Sequence, residues 1–249
     1  MHIRQIKNQN SLSELSLIGF YFLIWGSFFA IVHNVFTFNK SRKTDLDIKT
    51  RVVAIVHGLL SFILSSIFIF HFGFDLDMEN TALTTNFVTL SLGYFIYDLV
   101  ACVWSDLCDS KLVIHHMLVF TGFLYPLLTG RGIFGGIVGL ALAESSNFCM
   151  NLRMILKMYG LRHTLLFEAL DLVYLFSYII ARGGLGSVVV FLTVTHKNTP
   201  LLIKLVCVGI FVQSLTFISI MLKILRKKVK ERAERESKEI ELFWFSFNP

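Results

Sequence analysis

This chain of 249 residues has no CxxC pair, no HxxHH or HxxxH cluster and only three prolines. Its four cysteines, Cys102, Cys108, Cys149 and Cys207, fall mostly within or beside apolar runs, so neither a disulfide framework nor a zinc site is indicated. The missing histidine clusters exclude the two-iron ligand set that lipid desaturases and hydroxylases use. His115 and His116 do not make up for it, because adjacent helical residues point about 100° apart and rarely share one ion. No metal and no cofactor are expected.

Charge is scarce as well. Charged residues make up 16% of the chain against 55% hydrophobic, with 25 phenylalanines, and the mean hydropathy is +0.67. A soluble domain of this length does not need so much apolar surface, whereas a helical membrane bundle does. No soluble domain interrupts the apolar runs and no repeat of fixed period is visible. A cleavable leader is not expected, since Leu15 to Phe38 is long enough to span and lacks a small-residue cleavage site.

What is present is a series of long apolar stretches. Windows of about 20 residues predict seven spans, at 15–38, 52–72, 87–105, 112–129, 133–157, 164–182 and 200–223. The fold class is therefore an all-α integral membrane bundle of about seven transmembrane helices. It divides into an N-terminal flank at 1–14, a transmembrane domain at 15–225 and a charged, aromatic-ended tail at 226–249. Gly183-Gly184-Leu185-Gly186 interrupts the sixth run, and the β-branched stretch from Ser187 to Thr195 is either a broken helix end or a re-entrant turn.

The basic residues orient the bundle. Fifteen Lys or Arg fall on connections after odd-numbered spans, from Lys40 to Lys238, and four (Arg4, Lys7, Arg131, Lys197) on the other side. The positive-inside rule then predicts an outer or lumenal N-terminus and a C-terminus on the cytoplasmic or matrix side. The net charge of +6 is thus an orientation signal. It flanks spans without any recognition motif, so no nucleic-acid partner is expected. A seven-span receptor would carry Asp-Arg-Tyr and Asn-Pro-x-x-Tyr signatures, and a retinal protein a lysine mid-way along the last span; neither is here.

Against this background the polar residues inside spans stand out, because an ionisable group in hydrocarbon is costly and marks a functional site by default. His115 and His116 lie inside the apolar run Leu112 to Thr129. Asp98 shares a face of span three with Tyr94, Tyr97, Ala101 and Ser105. Glu144, Asn147 and Asn151 form one stripe on span five; Glu168, Asp171, Tyr178 and Arg182 form another on span six. Counting at about 1.5 Å per residue puts most of them in the inner half of the bilayer, with Glu144 nearer the middle and Arg182 in the outer half. They predict a polar cavity near the inner face. His115, His116 and Asp98 are the candidate catalytic residues. Glu144, Asn147, Asn151, Asp171, Tyr178 and Arg182 are the candidate substrate-binding residues. His57 with Ser61 and Ser65 reads as interhelical hydrogen bonding, and Glu168 and Asp171 either partner Arg162 or lie among headgroups.

Three segments then resemble a known family: GYFIYDL at 93–99, LVIHHMLVFTG at 112–122 and LALAESSNFCMNLRMILKMYG at 140–160. In this order they are similar to the TLC-domain family, the membrane proteins that include ceramide synthases. Glu144, Ser146, Phe148, Asn151 and Arg153 bring the last segment nearer the smaller TLC-domain-containing proteins. Glu144-Ser145-Ser146-Asn147 stands in place of the His-Asp…Asp pattern of ceramide synthases, and Asn147 where the smaller relatives usually show proline. The resemblance implies six helices forming a TLC-type barrel around a lipid-accessible cavity, with one extra span here. It also implies that the matching histidines, His115 and His116, serve acyl transfer in catalytic members.

Two functions follow as expectations. One is acyl transfer from acyl-CoA, as a substrate, to a sphingoid base or other lipid amine or hydroxyl. The other is a non-catalytic lipid-binding accessory subunit of a larger membrane complex, such as a respiratory-chain assembly, or a regulator of membrane lipid composition. Membrane lipids are the expected partners, with a protein partner through the 226–249 tail. That tail has seven Lys/Arg and five Glu from Arg226 to Glu241, then Leu242-Phe243-Trp244-Phe245-Ser246-Phe247, an aromatic end suited to a membrane surface or a docking partner. The endoplasmic reticulum is the expected location, with the mitochondrial inner membrane second.

Overall fold

The computed structural model of the chain describes residues 2–238 and 242–244. Among these it is helical, with one isolated bridge between Glu79 and Arg131. The helices are α1 (His2–Val35), α2 (Arg42–Phe72), α3 (Ala82–Trp104), α4 (Ser110–Thr129), α5 (Ile133–Glu144), α6 (Asn147–Met158), α7 (Leu165–Tyr178), α8 (Gly186–Thr195) and α9 (Leu201–Ser237). Seven stretches are long and apolar enough to cross a membrane, with α5–α6 and α7–α8 each counting as one. Side chains such as Phe70, 94% exposed, cover the outside of the bundle with apolar surface, as lipid contact requires.

Short polar residues start the spans. Asp109 accepts the Leu112 N–H at 2.7 Å at the head of α4, and Thr164 does the same for Phe167 at 3.3 Å at the head of α7. Thr81 and Thr84 bond reciprocally to each other's backbone at the start of α3. Gly130, with φ +77°, closes α4.

The sixth span runs further than 164–182. Ile179–Leu185 is a π-helical turn, after which α8 carries the helix on to Thr195, so Ser187 to Thr195 is neither re-entrant nor detached. The glycines at 183, 184 and 186 permit the wider turn without ending the helix. The fifth span is also irregular, broken at Ser145–Ser146.

Neighbour relations set the architecture. α2 packs on α5 and α6, α6 on α7, α8 on α9, α9 on α4, α4 on α3 and α3 on α2. These contacts close a circuit of six spans, and α1 lies against α3 and α2. The α1–α3 crossing is tight: a Cβ on Gly93 would sit 2.7 Å from the Tyr21 Cβ and 2.8 Å from the Phe22 nitrogen, so a residue without a side chain is needed there. α5 also touches α3 and α4, and at its level the interior is filled: Ile133, Phe134 and Ile137 meet Val88 and Leu92, all at 0% exposure.

One end of the bundle is tied by ion pairs. Asp171 of α7 is held by Arg153 of α6 at 2.6 Å and by Lys228 of α9. Glu168 pairs with Arg235, while Arg162 meets Glu231 at 4.0 Å. Neither Glu168 nor Asp171 therefore partners Arg162. α9 crosses residue 225 without a break, and its charged extension reaches α7 through the Lys228–Asp171 and Arg235–Glu168 pairs. The Phe243 carbonyl accepts the Leu165 N–H at 3.0 Å, so this part of the aromatic end bonds to the chain's own bundle. Phe245, Ser246 and Phe247 lie outside the described residues.

Candidate functional site

Between the spans, toward the ion-paired end, is a cavity of about 630 Å³. Its wall includes Asp98, His115, His116, Glu144, Asn147, Asn151, Tyr178 and Arg182, brought together from α3, α4, α5, α6, α7 and the π turn. Asp171 does not line it, being committed to Arg153 and Lys228.

The two histidines differ in what their ring atoms meet. His116 is buried; its Nδ1 donates to the Leu112 carbonyl at 2.9 Å, and its Nε2 faces Asp98 Oδ2 at 3.1 Å. With one ring proton fixed on Nδ1, Nε2 and the carboxylate share a second, and both ring nitrogens are occupied. Asp98 also accepts the Tyr94 hydroxyl at 3.5 Å. His115 is placed otherwise. Gln213 of α9 gives its amide N–H to the Lys111 carbonyl at 3.0 Å, which turns its Oε1 toward His115 Nδ1 at 3.2 Å. The amide carbonyl can only accept, so Nδ1 carries the proton and Nε2 keeps its lone pair. Among the described residues nothing bonds that nitrogen. Gln213→Leu is expected to shift the His115 tautomer ratio toward Nε2–H by about fivefold, since one hydrogen bond contributes about 1 kcal/mol. Nitrogen-15 NMR of histidine-labelled protein reads this directly.

A second polar chain crosses the opposite wall. Asp47 binds Arg51 at 2.8 Å, Arg51 donates to Asn151 Oδ1 at 3.1 Å, and Asn151 donates to the Asn147 carbonyl at 3.0 Å. Asn147 Nδ2 then donates to Glu144 Oε2 at 2.7 Å. Glu144 is 4% exposed, and its other oxygen lies 4.0 Å from His57 Nδ1. The approach depends on Gly58, where a Cβ would meet Glu144 Oε2 at 2.8 Å. His57 stacks on Tyr94 with ring centroids 3.6 Å apart and meets the Ser61 hydroxyl at 3.0 Å. It is thus a link between the Glu144 and Asp98 sides as well as a partner for serine.

Arg182 sits where both irregular spans meet. From the π turn its Nη2 donates to the Ala143 carbonyl at 2.8 Å, two residues before the break in span five, and reaches Asn147 Oδ1 at 3.5 Å. The guanidinium lies 4.8 Å from the Tyr178 ring centroid.

Residues 47–226 match the TLC domain (TRAM, LAG1 and CLN8 proteins), well over half of the chain. The chain belongs to the TLC domain family. It is 26% identical over 175 residues to TLC domain-containing protein 2 of Danio rerio, covering 67% of this chain and 71% of that protein. It is 32% identical over 97 residues to TLC domain-containing protein 1 of Gallus gallus, covering 38% of each. The Rattus norvegicus TLC domain-containing protein 1 matches at 32% over the same length, which is 39% of its own. No solved structure matches.

The family match spans the whole cavity wall, from Asp47 to Phe217. Three contributors stood outside the candidate residues: Arg51, Gln213 and the His57–Glu144 contact. Arg51 reads as one more boundary cation until its Asn151 bond is seen. Gln213 carried a usable signal, since an amide inside an apolar run has to find a partner. Nothing in the local sequence points His57 toward Glu144. No group of three or more His, Cys, Asp or Glu side chains placed to hold a metal ion occurs among the described residues.

Proposed function

We propose that this membrane protein of the TLC domain family binds a lipid chain within the bundle and transfers an acyl group from acyl-CoA to a lipid amine or hydroxyl, such as a sphingoid base. The observation that supports this best is the lone pair on His115 Nε2, held in a polar cavity by the Gln213–Lys111 bond. In this reaction the amine nitrogen attacks the thioester carbonyl, a C–N bond forms and the C–S bond breaks. His115 takes the amine proton and returns it to the departing thiolate, so the products are an amide and free CoA. Asp98, held by His116, is the carboxylate beside it, its charge largely balanced by that pairing. Lys111 stands at the same end, suited to a negatively charged nucleotide outside. That end faces the cytosol or matrix in this reading.

The test is purified protein with palmitoyl-CoA and sphinganine or a lysophospholipid, following thiol release and the acylated product by mass spectrometry. Acceptor-dependent thiol release that is lost in His115→Ala supports the reading, and no release with any acceptor overturns it. A non-catalytic lipid holder is the second reading. It is favoured by His116 and Asp98 neutralising each other.

A further inference from the structure

A second cavity, of about 370 Å³, lies toward the opposite end of the bundle between α4, α5, α8 and α9. It shares Arg182, Ile210 and Ser214 with the polar cavity, so the two meet at the arginine. Its wall is largely apolar, with Leu142, Val189, Val206 and Phe211 among the lining side chains and glycines at 135 and 139 leaving room. Along one side, Arg182 to Thr193 marks its length: at about 1.5 Å per residue, roughly 16 Å.

Charge is distributed unevenly along it. At the far rim Asp77 meets His196 at 3.2 Å and accepts from Asn198, while Arg131 pairs with Glu79 at 3.3 Å. At the inner end Arg182 has no carboxylate in ion-pair contact among the described residues. It donates only to neutral oxygens, and its Nε is buried without a partner. Glu144 lies across Asn147 from it, beyond ion-pair distance, so a guanidinium inside a membrane bundle is left with a desolvation cost that neutral oxygens and a distant carboxylate offset only in part. One planar cation with no carboxylate in direct contact suits one more, which it can bind through two parallel hydrogen bonds. The cavity volume suits a single chain and is too small for a two-chain phospholipid.

We propose that this second cavity is a binding site for a long-chain fatty acid, its carboxylate on Arg182 and its chain running outward between α4, α5, α8 and α9. The proposal rests on the reading that the bundle holds an acyl chain, but it is independent of turnover.

Radiolabelled palmitate and methyl palmitate share the chain and differ in charge, so their binding to the purified full-length protein in detergent separates the two contributions. Palmitate is expected to bind saturably and at least tenfold more tightly than the ester. Arg182→Met should remove that preference. Gly139→Phe should weaken both ligands, since a Cβ at 139 meets nothing within 4 Å and the ring can enter the cavity without moving the backbone. Equal binding of acid and ester to the unmodified protein, or no saturable binding of either, overturns the proposal without any variant. A preference that survives Arg182→Met, or binding untouched by Gly139→Phe, overturns it too. Thiol release from palmitoyl-CoA is a separate readout, so acyl transfer and fatty-acid binding fail separately.

Discussion

His115→Ala is expected to lower acyl transfer from palmitoyl-CoA to a lipid amine by about a hundredfold or more, the usual contribution of a positioned general base. His116→Ala should also lower it, for another reason. His115 offers a nitrogen to the substrate, whereas both nitrogens of His116 are bonded, to Leu112 and Asp98. Removing His116 leaves Asp98 with only the long Tyr94 contact among the described residues, an unneutralised carboxylate beside the reaction. The pH profile distinguishes the two. In His115→Gln the acidic limb, where the rate falls as the base takes up a proton, should vanish, while in His116→Gln it should persist at a reduced level. Equal rates for His115→Ala and the unmodified protein, with acceptor-dependent thiol release intact, would show that the proton goes elsewhere.

Asp171→Ala is expected to cause the largest loss of stability, about 3 kcal/mol or more, because it strands two cations at once. Arg153 and Lys228 both converge on this carboxylate, with side-chain exposures of 18% and 23%, and without it they repel each other across the α6–α7–α9 junction. In a chain of this size that corresponds to a fall of roughly 10 °C in midpoint, measurable by heating the detergent-solubilised protein and following the monomer peak by size exclusion. Lys228→Met should cost much less, since the Arg153–Asp171 pair at 2.6 Å remains. A midpoint within 2 °C of the unmodified protein for Asp171→Ala, on the scale of a few degrees per kcal/mol, would mean that water or lipid replaces the carboxylate and that the junction is not held by charge.

These outcomes bear on how much was readable in advance. Span count and class follow from the apolar runs alone, because a span of about 20 residues must satisfy its own backbone and face lipid with apolar side chains. The family is equally legible, since the segments around Asp98, His115 and Glu144 carry it in order and the match over 47–226 agrees. Candidate polar residues could be named for the same reason: a charge inside hydrocarbon is rare. Partner choice was less accessible. Asp171 shares a helical stripe with Tyr178 and Arg182, yet it faces the α9 extension, and Lys228 lies 57 positions further along the chain. The continuation of the sixth span past Gly186 was also hidden, because a glycine-rich stretch is compatible with a π turn, a helix end or a re-entrant loop until its neighbours are placed.

Composition and spacing thus determined that this is a seven-span helical membrane protein with ionisable groups on particular faces, because those properties depend on local hydropathy and on the helical period. Which histidine keeps a free lone pair, which carboxylate is spent on ion pairing, and where an unpaired arginine joins two cavities were decided only by the packing of α4 against α9, α6 against α7 and the π turn against the break in span five. Such contacts join residues up to about a hundred positions apart, as between His115 and Gln213. A hydrogen bond across that separation depends on how two helices are rotated against each other, and no local pattern records that rotation.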